Sequence, residues 1–275
     1  MTIIIFSLTA HENFECLRDL IINIKKCFVN YEILILLSLT ENLYNENLHS
    51  FDYVKCVTIR QNKSSIWGNI ELFNQHILNI KYIYDNSINY DFFWMVASNE
   101  MFIKIIPPDF LDNNSIKIIN KKQEIDIINY DIYFKNLMDD NNSWWVWTNV
   151  AKKDTHFMNY LYKNKFILHI SQHEGIALSS DIVLEIFDEY TRNKLYENST
   201  VKNYPMEEIF LPTFLINRYH LNQFVPFSFI YKYRLPSNSS YKAIKNKMES
   251  HNVSIKGVTR NYKDRLRRNI RDNIK

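Results

Sequence analysis

Glycine is nearly missing from this chain, which has only Gly68, Gly175 and Gly257. Neither G-x-G-x-x-G nor a P-loop can be built from so few, so any phosphate must be held by side chains or helix N-termini. Cysteine is equally scarce. Cys16, Cys27 and Cys56 show no C-x-x-C spacing, and their odd number leaves one outside any disulfide scheme. Reduced thiols in a cytoplasmic protein are the expectation. No apolar run approaches the roughly 20 residues that cross a bilayer. The apolar start, Met1–Ala10, lacks a basic flank and runs into His11-Glu12-Asn13. It reads as a first strand rather than a signal peptide. The charge excess is only +3. With no RNA-reading motif beside it, that excludes nucleic acid as the expected partner.

What is present is a core. Hydrophobic residues make up 46% and aromatics 15% of the chain, enough for one sizeable domain over 1–275. Ile3–Leu8 reads as a strand, and Phe14, Leu17, Leu20, Ile21, Ile24 and Phe28 recur at helical spacing. Tyr31–Leu39 and Tyr53–Ile59 read as strands, Trp67–Tyr84 as a second amphipathic helix, and Tyr90–Val96 as a buried central strand. This alternation predicts an α/β fold with a mixed, largely parallel sheet flanked by helices. Over about the first hundred residues the alternation predicts a nucleotide-binding type of topology. Further on, Glu124–Lys135 and Phe166–Ser171 read as short strands, and Ser179–Asp181 as the cap of a helix. A helix is predicted over Met206–Asn217, with Pro212 near its first turn or kinking it, then a strand over Phe227–Arg234 and a basic helix from Asn261.

The Tyr90 strand stops at Ser98-Asn99-Glu100, and ligands of open α/β sheets bind beyond the carboxyl ends of the strands. A carboxylate there is either a ligand-binding group or part of a solvated turn.

Taken in order, several short motifs resemble the core-2/I-branching family of glycosyltransferases, which also takes in the peptide xylosyltransferases. Ala10-His11-Glu12-Asn13 resembles the family's Ala-His-Lys opening, and Trp67 stands where the family has a tryptophan. Ser98-Asn99-Glu100-Met101-Phe102-Ile103-Lys104 resembles Gly-x-Asp-x-Pro-Ile-Lys, with Glu for Asp and Phe for Pro. Gly175–Ser179 is similar to a Gly…Leu-Ser segment, and Glu207-Glu208-Ile-Phe-Leu-Pro-Thr213 to the Asp-Glu-x-x-x-x-Thr segment that carries the base. Arg234 and Lys256 are spaced like the two cations that hold the donor's diphosphate. The chain departs from the family at Leu37-Ser38-Leu39-Thr40, where an Asp near the donor base is usual.

The resemblance implies a GT-A-type fold and inverting, metal-independent transfer from a UDP-sugar, N-acetylglucosamine or xylose, to a hydroxyl of a surface glycan or lipid-linked glycan. It implies Glu208 as general base and His11, Ser98, Glu100, Arg234, Lys256 and Arg260 around the donor. His173, Glu174 and Glu207 would face the acceptor. No divalent metal or other cofactor is expected. The residues themselves leave alternatives: first-turn acids also suit a helix dipole, and lysines and arginines suit any surface. Metal-using enzymes of this fold class carry Asp-x-Asp after a central strand, and none occurs here. The leaving diphosphate would then need fixed side-chain cations. Trp144, Trp145 and Trp147 suit a core or interface better than a sugar platform. The run Lys263–Arg271 reads as a solvated helix face or a contact with anionic lipid. A non-catalytic nucleotide- or glycan-binding module on the same fold is the alternative.

Overall fold

The structure is a computed structural model that describes residues 1–11, 13–60, 68–111, 149–169, 176–219, 227–230 and 240–274. Strands β1 (Ile3–Ala10), β2 (Glu32–Thr40), β3 (Val54–Arg60), β4 (Phe92–Ala97) and β6 (Ala177–Ser179) make a five-stranded sheet in the order β3-β2-β1-β4-β6. The first four are parallel, and β6 runs antiparallel to β4. Helices α1 (Phe14–Cys27) and α2 (Ile70–Asp85) make crossovers between parallel strands. The Asn13 carboxamide oxygen caps α1 by accepting from Cys16 N–H, and Asn69 caps α2 by accepting from Glu71 N–H. The architecture is thus α/β with a mixed, mostly parallel central sheet, as the alternating pattern predicts.

Covered on both faces, the sheet needs largely apolar strands: β4 is apolar throughout, and β1 is apolar but for Ser7 and Thr9. On one face, α2 packs with α4 (Ser180–Arg192) and α5 (Met206–Tyr219); α3 (Thr155–Asn164) adds Phe157 and Tyr160 to that core. On the other, α1 closes over an aromatic knot. Trp94 lies 5.9 Å from Phe6, 5.5 Å from Phe28, 5.4 Å from Phe102 and 5.3 Å from Phe227, ring centre to ring centre. Such offset and edge-on contacts add to the burial of the rings themselves.

A second sheet, β5-β8-β7, joins β5 (Glu100–Phe102) to β8 (Ser254–Lys256) antiparallel and β8 to β7 (Ser228–Ile230) parallel. The far edge of β5 is met by a side chain. The buried Asn23 donates to Phe102 C=O at 2.9 Å and accepts from Phe102 N–H at 2.8 Å, as a neighbouring strand would. Both sheets therefore take strands from both halves of the chain.

Two expectations need correction. The span Phe166–Ser171 is no strand over its described residues, 166–169. Its backbone is held instead by α5, whose Asn217 bonds both polar groups of Ile167 at 2.9 and 2.7 Å, and whose Thr213 bonds both of His169 at 2.9 and 3.0 Å. The basic tail is not simply a solvated face. In α7 (Arg265–Asn273), which follows the short helix α6 (Tyr241–Lys245), Leu266, Arg267 and Ile270 are buried. Arg267 Nη1 pairs with Asp19 Oδ2 on α1 at 2.9 Å, and Arg271 reaches the same oxygen at 3.1 Å. Lys263, Arg265 and Arg268 remain exposed. Trp67, Glu124–Lys135 and the Trp144–Trp147 cluster lie outside the described residues. Among the described residues no helix is long and apolar enough to cross a membrane.

Candidate functional site at the carboxyl end of the sheet

Four parallel strands end side by side at Ala10, Thr40, Arg60 and Ala97, and His11 and Ser98 follow directly. The Ser98-Asn99-Glu100 turn meets the 254–260 segment residue by residue. Arg260 Nη2 comes within 3.4 Å of Ser98 Oγ. The Asn99 carbonyl accepts from both Gly257 N–H, at 3.1 Å, and Val258 N–H, at 3.0 Å. Glu100 stands opposite Lys256 in the β5–β8 ladder. Gly257 has φ 93°, a left-handed backbone that glycine adopts without a Cβ clash and that turns the chain from Lys256 toward Arg260.

Glu100 is 0% exposed. It accepts hydrogen bonds from Ser254 Oγ and from Ala97 N–H, the latter at 3.3 Å. Burial raises its carboxyl above the usual range, while Ser254, the Ala97 N–H, Ser228 and Lys256 oppose that rise. Lys256 is half-buried. Its ammonium is brought down to about 8, chiefly by burial, with Arg260 lowering it and Glu100 raising it. Here lies a pair of cations with one carboxylate behind them.

A second cluster stands at the same end of the molecule, on the α2 face. The Lys202 carbonyl accepts from Ile70 N–H, which sets the entry to α5 beside the first turn of α2. The first-turn acids of α5 are not exposed, as a purely helix-stabilising pair would be: Glu207 is 4% and Glu208 7% exposed. Burial holds both carboxyls above the usual range, and for Glu208 the Glu207 carboxylate adds to it. Among the described residues, Glu207 Oε2 and the Tyr190 hydroxyl are buried without a hydrogen-bond partner. Pro212 lies within α5 and lacks an N–H, so the Glu208 carbonyl loses its intrahelical donor.

The structure thus brings together Ser98, Glu100, Lys256 and Arg260. Glu207 and Glu208 belong to the other cluster, where the charges of Glu207 and Glu71 both act on Tyr190. His11 sits half-buried at the end of β1. Arg234, His173 and Glu174 lie outside the described residues.

Sequence reasoning missed Arg60. Its guanidinium ends β3, with Nε and Nη2 buried and without a partner among the described residues, and burial lowers its pKa while Glu71 opposes. The signal is positional: Arg60 directly follows the strand read over Tyr53–Ile59, just as Ser98 follows a strand. Glu71 in turn accepts from Gln75 Nε2 at 2.5 Å and from the Tyr196 hydroxyl. Below them Ser7 Oγ lies 2.7 Å from His76 Nδ1, and Asn79 donates to Ser7 at 2.8 Å. This serine and histidine are no nucleophile and base. Ser7 is 0% and His76 2% exposed, and burial together with Arg60 holds the imidazole down to about 3. Among the described residues, no group of three or more His, Cys, Asp or Glu could hold a metal ion.

No protein-family model matches the chain, and no curated protein matches it.

Proposed function

We propose that the protein is an inverting glycosyltransferase of GT-A type, taking a sugar from a nucleoside diphosphate donor to a hydroxyl of a glycan acceptor. The observation that carries this reading is the seam between Ser98–Glu100 and Lys256–Arg260, which sets two cations beyond the carboxyl end of a central parallel strand. Phosphoryl oxygens need such donors. An arginine grips them in a fork and a lysine acts as a point charge. As the bond to the anomeric carbon breaks, negative charge grows on the diphosphate, and Lys256 and Arg260 would neutralise it. No metal is needed for that step, and a UDP-sugar of N-acetylglucosamine or xylose is the proposed donor. Arg234 belongs to the same proposal.

Glu208 is the proposed base. A carboxyl raised by burial lies closer to working pH than an exposed one, which suits it to take a proton from an acceptor hydroxyl. Glu207 beside it, with His173 and Glu174, would line the acceptor side. A cytoplasmic enzyme touching anionic lipid through Lys263, Arg265 and Arg268 would meet a lipid-linked glycan there.

The test is slow hydrolysis of UDP-sugars by the purified chain. Turnover that persists in EDTA and falls at least about a hundredfold in Glu208→Gln supports the reading. Full activity in that variant, or loss of activity in EDTA, refutes the mechanism. The same burial also favours a second reading, because a carboxyl held protonated at working pH is no base. A nucleotide- or glycan-binding module would be stabilised by UDP and show no turnover at any pH.

A further inference from the structure

At the centre of the seam is a carboxylate that no ligand arriving from solvent can touch. Glu100 has no exposed surface, and its oxygens already accept from Ser254 and Ala97. Lys256, directly across the ladder, is half-buried and does reach the surface. We infer that Glu100 is a positioning residue, a fixed internal counter-charge that keeps the Lys256 ammonium charged and in place to receive a phosphoryl-type anion. The inference rests on the reading of Lys256 and Arg260 as diphosphate ligands, and it removes Glu100 from the groups that contact the donor.

The physical case is one of opposing influences. Burial and the Arg260 guanidinium both favour the neutral amine, and an uncharged lysine cannot bind an anion. Glu100 on β5 acts the other way. Burial raises its own carboxyl, and the Ser254 hydroxyl, the Ala97 N–H, Ser228 and the Lys256 charge oppose that rise and favour the ionised form. The third strand, β7, faces Lys256 through the backbone at Ile230. The Asn99 carbonyl, accepting from Gly257 and Val258 N–H, fixes the turn that carries Arg260, so the segment bearing the carboxylate is bonded directly to the segment bearing both cations.

The experiment reads Lys256 directly. The lysines of the full chain are reductively methylated with carbon-13, and the Lys256 signal is identified by its loss in Lys256→Arg. In the unsubstituted protein that signal should titrate near about 8. In Glu100→Gln it should titrate at least about one pH unit lower, with Glu100→Asp in between. Inorganic pyrophosphate, followed by calorimetry, should bind Glu100→Gln about threefold more weakly at pH 7.5 and nearly equally at pH 6, where the lysine is mostly charged in both. A folded Glu100→Gln whose Lys256 titration is unchanged overturns the inference. Should that variant not fold, unchanged Lys256 titration in Glu100→Asp and Ser254→Ala overturns it instead. If the titration shifts as expected while pyrophosphate binds neither protein, the positioning role stands and the diphosphate reading falls.

Discussion

Replacing Asp19 by alanine should be among the most damaging single changes in the molecule. Asp19 is 5% exposed and faces two guanidinium groups, Arg267 at 2.9 Å and Arg271 at 3.1 Å. Arg267 is 0% exposed, and its remaining contacts are modest: the Thr259 carbonyl at 3.2 Å, the Cys16 carbonyl at 3.4 Å and Met101 Sδ at 3.1 Å, with Nη2 buried and unpartnered among the described residues. Without the carboxylate a full positive charge stays in the core with no counter-ion. Removing one member of a buried pair costs about 3–5 kcal/mol, against about 1 kcal/mol or less for a surface pair. In a chain of this size that lowers the thermal midpoint by roughly 10 °C. The double variant Asp19→Leu with Arg267→Met should recover most of the loss, because it removes the stranded charge along with its partner. Urea unfolding followed by circular dichroism measures both. A loss below about 1 kcal/mol in Asp19→Ala, or a double variant no better than the single, would show that the pair is solvated and that the tail is not fastened through it.

Glu208→Gln should stabilise the fold while it removes the proposed base. A carboxyl whose folded pKa is raised contributes stability at low pH that is lost as pH rises through the folded value, and glutamine cannot ionise. The variant's thermal midpoint should therefore exceed that of the unsubstituted protein at pH 8 and match it near pH 4; equal midpoints at both would count against burial of the ionised form. Asp154, 0% exposed, accepts from the Ser199 and Tyr204 hydroxyls and caps α3 through His156 and Phe157 N–H, and these bonds hold its carboxyl below the usual range. Its contribution is present above the unfolded value of about 3.9 and fades as pH falls through the lower folded value. Asp154→Ala should cost about 3 kcal/mol at pH 7 by urea unfolding, and acidification below about pH 4 should narrow the gap. Asn23→Ala leaves both Phe102 backbone groups unpaired, so a loss of about 2–3 kcal/mol is expected together with weaker pyrophosphate binding, because β5 carries Glu100. Unchanged binding in that variant would detach the clamp from the site.

The parallel core was legible because its signal is local. Phe92–Ala97 is apolar at every position and Ile3–Ala10 at all but Ser7 and Thr9, a pattern that fits burial on both faces. The helices of the first hundred residues showed their spacing, and Asn13 and Asn69 are ordinary caps. The triplet Ser98–Glu100 could be singled out for its place after a strand. Its pairing with Ser254–Lys256 could not, because that contact spans more than 150 residues and leaves no periodic trace. Phe166–His169 misled for a different reason: its composition suits a strand, yet its partners are side chains of a helix. Arg267 carries the same letter as the exposed Arg268 beside it, and only the packing of α7 on α1 separates their roles. Arg60 gives no local sign of its buried nitrogens, since after Val54 the residues of β3 leading up to it are exposed or half-buried.

On the function proposed for it, the seam also sets when the chain can first bind a phosphoryl anion. Its two sides are made at opposite stages of synthesis, Ser98–Glu100 early and Ser254–Arg260 much later. While the ribosome is still translating the intervening stretch, β5 has only Asn23 along one edge, and Glu100 lies open to water without Ser254 or Lys256. Nascent chains stalled before residue 254 should therefore ignore phosphoryl anions even where the parallel sheet has already formed.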